Sequence, residues 1–183
     1  MARVNVSVVR VSDAASRRIA ASAGIAPAAR ATLLRILGDN VLCAIATVST
    51  RGRPHVSTAY FCISPTLELY FLSHPRSLHC RNLAARPAAA IAVFSSSQGW
   101  GGHDRGLQLF GTCGLAAGLR ASEAERLYGA RFPSFAAWRS GLSPGEVASE
   151  YRFYRFVTRR LKLLDEETLG DALLVHAVVT RDG

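Results

Sequence analysis

From Val41 onward the chain is a succession of short apolar segments, most of them cut off by Gly, Pro or Ser before they reach the length of an ordinary helix. Val41 to Val48, Pro54 to Ile63, Leu67 to Ser73, Ala88 to Phe94 and Leu107 to Ala116 have strand length, as do Tyr151 to Val157, Leu161 to Leu164 and Leu173 to Val179. The first two are joined by Ser49 to Arg53, which contains Gly52, and read as a hairpin; Ser64-Pro65 turns the chain into the third. So many short strands cannot lie in an open sheet without exposing unpaired edges, and closure into a barrel removes them. The expected class is therefore mainly β with helices (α+β), a barrel with helical decoration.

Helices fall between the strands. One is predicted from Pro27, with Leu33, Leu34, Ile36 and Leu37 as its apolar stripe and Gly38 as a left-handed C-terminal cap. A second runs from about Ser77 and stops before Pro87, since proline disfavours helix in the residue ahead of it. Ser122 followed by Glu125 forms a capping-box pattern opening a helix to Arg131; Phe132-Pro133 interrupts it, and a short helix follows around Ser134 to Ser140. Residues 1–30, rich in Ala, Ser, Val and Arg, read as a variable extension, poorly ordered or accessory, in which the alternation of Val4, Val6, Val8 and Val11 allows a short strand. Residues 31–183 then form the barrel domain, and 183 residues are the length of one ordinary domain.

Composition narrows the function classes. Hydrophobic residues are 49% and charged residues 19%, as in a folded globular chain. No apolar run approaches the roughly 20 residues that span a bilayer, and neither long apolar stretch has the flanks of a signal sequence, so the default expectation is a cytoplasmic protein without membrane contact. The net charge of +9 arises from 22 basic and 13 acidic residues, but 21 of the bases are arginines scattered singly or in pairs, Lys162 being the one lysine. No basic run with interleaved aromatics accompanies them, which argues against nucleic acid as partner. Cys43, Cys62, Cys80 and Cys113 form no C-x-x-C and read as buried free thiols. His55, His74, His79, His103 and His176 show no ligand spacing, so no metal site is expected; G-x-S-x-G is absent. Asp165 to Thr168 reads as a solvated turn before Leu169-Gly170.

The segments from Leu33 to about Val179 resemble, in order and spacing, the pyridoxamine-phosphate oxidase-like split barrels, above all their small bacterial members. The resemblance is carried by Leu37-Gly38, Gly52-Arg53-Pro54-His55-Val56, Leu69 to Ser73, Asn82 to Pro87, Gly106 to Gly111, and Tyr128 to Pro133, reading YGARFP. It implies an FMN-binding split β-barrel and a homodimer with FMN in a groove between the subunits, lined by Pro54 to Ile63 and Leu107 to Ala116. It implies flavin contacts from the second strand, Ser57, Thr58, Ala59 and Tyr60 within the segment ending at Cys62, and from Leu72 and Ser73 at the end of the third.

The sequence departs from the family where an Arg-Lys pair holds the phosphate: Leu78 and His79 stand there, and Cys62 replaces a lysine. Ser77, the first N–H groups of its helix, Arg76 and Arg81 could compensate. His79 is either the anchor or a histidine packed beneath a helix. Gln108 either reaches toward the flavin or faces solvent, and Trp100 either covers the ligand or packs on the rim.

The implied function is an FMN-dependent oxidoreductase acting on a small organic molecule, in which the cofactor supplies the chemistry and no catalytic acid or base is named. A barrel that has lost the flavin and binds another ligand, or one that binds haem, is the alternative.

Overall fold

In the computed structural model, which describes residues 4–143, 145–146 and 150–181, the strands form one antiparallel sheet. They are β1 (Val4–Ser12), β2 (Arg18–Ile19), β3 (Leu42–Val48), β4 (Pro54–Ile63), β5 (Glu68–Ser73), β6 (Ala88–Val93), β7 (Arg105–Leu115), β8 (Arg152–Asp165) and β9 (Leu174–Arg181). The sheet order is β2-β1-β9-β8-β5-β4-β3-β6-β7, and an additional β8–β7 pairing closes β3 to β8 into a six-stranded barrel. The helices are α1 (Ile25–Asp39), α2 (Leu78–Ala85), α3 (Leu119–Arg131), α4 (Phe135–Ser140) and α5 (Glu166–Leu169). The expected split-barrel, α+β architecture is thus observed.

Alternation explains the barrel. Ile45, Phe61, Phe71, Ile91, Leu107, Leu109 and Phe156 point inward and are at most 1% exposed, while the intervening residues face out. The β3–β4 hairpin pairs Leu42 with Tyr60 through Val48 with Pro54. Its turn depends on Gly52, at φ +77°, and on the Ser49 hydroxyl, which accepts from the Arg53 N–H at 3.0 Å.

Tyr151 to Val157 and Leu161 to Leu164, expected as two strands, are one continuous β8. The register slips between Phe110 and Gly111, whose partners are Arg160 and Thr158, so Arg159 is the extra residue of a bulge. A Cβ on Gly111 would stand 2.0 Å from the Val157 carbonyl oxygen, so only glycine lets the two backbones approach this closely.

The short strand that the alternation of Val4, Val6, Val8 and Val11 allowed is β1, which pairs along its length with β9, Val4 opposite Arg181. Three further expectations are corrected. Gly38 lies inside α1, which ends at Asn40 in extended conformation; Asn40 Nδ2 donates to the Ile36 carbonyl at 2.8 Å, and Arg131 donates to the carbonyls of Leu37, Gly38 and Asn40. Those bonds answer the orphan carbonyls of the helix end without a glycine cap. The Ser122/Glu125 pattern falls within α3, which begins at Leu119 after Gly118. Asp165 is fully buried and ion-paired with Arg35 and, at 3.7 Å, Arg105, and Glu166 to Leu169 forms α5 rather than a solvated turn.

Candidate functional site

A groove of about 810 Å³ lies where α3 and α4 lean against the outer wall of the barrel. One side is built from strand residues, Thr58, Ala59 and Tyr60 of β4 and Leu72 and Ser73 of β5, with His79 from the first turn of α2. The other side is aromatic: Tyr128, Phe132, Phe135, Trp138 and Tyr151, interrupted by Ser134. Spacing on α3 puts Tyr128 and Phe132 on one helix face, their ring centroids 4.5 Å apart, and Tyr128 meets Phe135 at 5.0 Å and Phe153 at 5.4 Å. Tyr60 closes onto this wall edge-on, 5.6 Å from Phe132. Burial pushes the Tyr128 phenol up to about 12, so it stays protonated.

The wall is held by a polar anchor below it. Glu68, 1% exposed, accepts from Arg155 Nε at 2.8 Å and lies 3.7 Å from Arg181 and 3.8 Å from Arg120. The Tyr70 hydroxyl donates to Glu123 of α3 at 2.8 Å and lies 3.3 Å from Glu68, tying that helix to β5. Burial alone would raise the Glu68 carboxyl, but the Arg155 bonds and the charges of Arg120 and Arg181 outweigh it and hold the group below its ordinary value.

His79 is the polar centre of the groove. Its Nε2 lies 2.7 Å from the Ser73 hydroxyl and 3.2 Å from that of Ser77, which also caps α2 by accepting from the Cys80 N–H. The His55 ring lies parallel to it at 6.3 Å. Half-burial lowers the pKa of His79, so at neutral pH the imidazole is uncharged and acts as a hydrogen-bonding group rather than a cation. Among the described residues, no lysine or arginine lines the groove.

Six of the residues singled out in the sequence, Thr58, Ala59, Tyr60, Leu72, Ser73 and His79, therefore share one site. Ser77 stands just behind it. The others are placed elsewhere. Ser57 sits opposite Ile45 and faces inward, its buried hydroxyl without a partner among the described residues. Arg81 is exposed on α2 outside the lining, Arg76 reaches Glu150 at 3.2 Å, and Trp100 is fully exposed in a loop. Gln108 lies on the outer face of β7 in a separate depression beside Lys162. Missed by sequence reasoning was the aromatic wall. Its signal was present in YGARFP and the Phe135/Trp138 pair, but a helical aromatic stripe reads equally well as core.

Of the described residues, no helix is long and apolar enough to cross a membrane, and the four cysteines are buried free thiols.

Among solved structures, the fold matches a haem binding protein from Mycobacterium smegmatis with a TM-score of 0.65 at 18% identity, covering 87% of this chain and 59% of that one. HutZ, the haem storage protein from Vibrio cholerae, matches with a TM-score of 0.60 at 18% identity over 75% of this chain and 94% of its own. An F420 reductase matches with a TM-score of 0.51 at 19% identity over 69% and 93%. The chain thus spans less than two thirds of the Mycobacterium protein's length, and these identities speak to the fold alone. A search of curated sequences returns no match. The family model described as pyridoxamine 5′-phosphate oxidase matches residues 29–158, a stretch that includes β3 to β7, α2 to α4 and every residue lining the groove. By that match and by its closed barrel, this chain belongs to the pyridoxamine 5′-phosphate oxidase family.

Proposed function

We propose that the chain is an FMN-dependent oxidoreductase acting on a small organic molecule, with the flavin ring in the groove between β4, β5 and α3–α4. The observation that carries this reading is the convergence of Thr58, Ala59, Tyr60, Leu72, Ser73 and His79 on a single aromatic-walled groove. A planar heterocycle suits it: the walls offer ring faces and edges, and Thr58, Ser73 and His79 offer hydrogen bonds at the rim.

FMN, when bound, supplies hydride transfer through its ring system. This chain's own residues would bind and orient it: the Tyr60–Phe132 pair would offer the ring an apolar surface, Ser73 and Ser77 fix the His79 imidazole, and the aromatic wall would keep water from one side. For the phosphate the residues at hand are neutral donors, Ser73, Ser77 and His79, in place of a charged pair.

Fluorescence titration of FMN with the purified chain tests the reading. Quenching that saturates at one FMN per chain supports it, with His79→Ala weakening affinity by about tenfold for the loss of one or two hydrogen bonds. A flat titration overturns it.

A second reading, haem binding, is favoured by one feature of the groove: a neutral imidazole among aromatic rings with no cationic lining among the described residues. Two structural neighbours described as haem proteins support it. Haemin titration gives the comparison. A Soret shift saturating at lower concentration than FMN quenching selects haem.

A further inference from the structure

On the sheet face formed by β7, β8, β9 and β1, four polar residues stand directly opposite one another across successive strands. Gln108 is the register partner of Lys162, Lys162 of His176, and His176 of Arg10. Arg160, two residues before Lys162 and so on the same face, pairs with Phe110. The bulge between Val8 and Arg10 turns Arg10 outward to this row. Together Arg10, Arg160, Lys162 and His176 ring a depression of about 380 Å³ whose floor carries Phe110 and Val178.

Elsewhere two buried carboxylates gather arginines around them. Glu68 takes Arg155, and Asp165 takes Arg35 and Arg105. Here no carboxylate lines the depression, and Arg10, Arg160 and Lys162 have no ion-pair partner among the described residues. Arg10 and Lys162 flank the neutral His176 on either side, and Arg160 stands two residues from Lys162 on the same face, so three cations crowd one depression without a carboxylate among them.

The hydrogen bonding is also directional. Arg10 Nη2 lies 3.2 Å from His176 Nε2, and since a guanidinium can only donate, that nitrogen accepts, leaving the proton of the neutral ring on Nδ1. The Ser12 hydroxyl, 3.0 Å from the same atom, completes the arrangement. Burial first, then Arg10 and Lys162, lower the His176 pKa, as expected for a ring among uncompensated cations. Lys162 Nζ lies 5.9 Å from the Phe110 ring centroid.

We propose that this depression is a binding site, distinct from the groove, for a small phosphorylated molecule bearing an apolar or aromatic part. The phosphate would be met by Arg10, Arg160 and Lys162, and the apolar part would rest on Phe110 and Val178. A bound dianion offsets the repulsion along the row and raises the His176 pKa.

The test uses the full chain at physiological salt, with phenyl phosphate and inorganic phosphate as probes and the His176 Cε1–H signal, assigned from His176→Gln, as readout. Phenyl phosphate is expected to shift that signal saturably, one molecule per chain, and to bind at least tenfold more tightly than inorganic phosphate. Arg10→Gln with Lys162→Gln is expected to weaken it at least tenfold, and His79→Ala in the groove to leave it unchanged. Both altered strand positions are at the surface, and circular dichroism checks that the double variant is folded. The proposal is overturned by a response that does not saturate, by equal affinity for the two probes, or by binding that survives in the double variant.

Discussion

Glu68 sits at the meeting point of β5, β8, β9 and α3, a carboxylate almost without solvent among three arginines. Removing one partner of such a buried cluster leaves uncompensated charge, and Glu68→Gln is expected to cost about 3 kcal/mol of stability at pH 7. Its folded-state pKa is lowered, so its contribution is fully present above the unfolded value of about 4.3 and fades as pH falls from there through the folded value. Urea midpoints from pH 7 down to pH 3 should fall for the parent chain and be flatter for the variant; parallel curves would contradict this. Gly111 gives a sharper case, because no rotamer moves a Cβ away from a backbone oxygen at 2.0 Å. Gly111→Ala is expected to destabilise by about 3 kcal/mol, roughly 6–12 °C in melting temperature for a chain of this size, whereas Gly114→Ala, with open space around it, should move little. Sequence reasoning found His79 because it stood where a resemblance placed it, yet found neither Glu68 nor Asp165: an acid on a strand looks solvated until its arginines, which come from distant segments, are known.

Strands and helices were legible to the extent that local pattern determines them. The β3–β4 hairpin was readable from alternation and Gly52 alone. β8 was split in expectation because Thr158-Arg159-Arg160 breaks the alternation, and it is the bulge at Arg159, facing Phe110 and Gly111, that keeps the strand whole. The ends of α1 and α3 were displaced for a related reason. Arg131, with its guanidinium 4.7 Å from the Phe61 ring centroid, caps α1 across 91 or more residues of sequence, and no local motif records such a bond. The groove's strand side was legible from the register of β4 and β5, while its helical side was not, because only the packing of α3 on β5, through the bond from Tyr70 to Glu123, turns Tyr128 and Phe132 toward it.

At the level of the molecule, the outer face of β4-β3-β6-β7 holds side chains that a lone chain would leave in water. Leu42, Val48, Val56, Tyr60 and Phe94 are each 39–63% exposed, separated by the small Ala44, Ala46, Ala90 and Ala92. A face of that kind is best buried against its own copy, since one set of residues then serves twice. We therefore expect a homodimer of twice 19.6 kDa by light scattering at micromolar concentration, and a monomer for Val56→Arg, which places a charge at the most exposed apolar position of the face; a monomeric parent chain would contradict this. The barrel class was legible because many short strands have few other solutions, and β1 and β9 were each readable as strands, whereas their pairing into an extra wing was not, being the most distant in the chain. That distance has a meaning in time. β1 is synthesised before any other strand described, and Val4 meets Arg181, a partner that leaves the ribosome only after the whole barrel has emerged. At roughly 5–20 residues per second the wait is on the order of ten to thirty seconds, during which Val4, Val6 and Val8 have no strand to lie against. A nascent chain of this protein thus carries an unpaired β segment until Arg181 has emerged, a natural ligand for chaperones that bind extended apolar peptide, and the wing is the last part of the described sheet to be sealed.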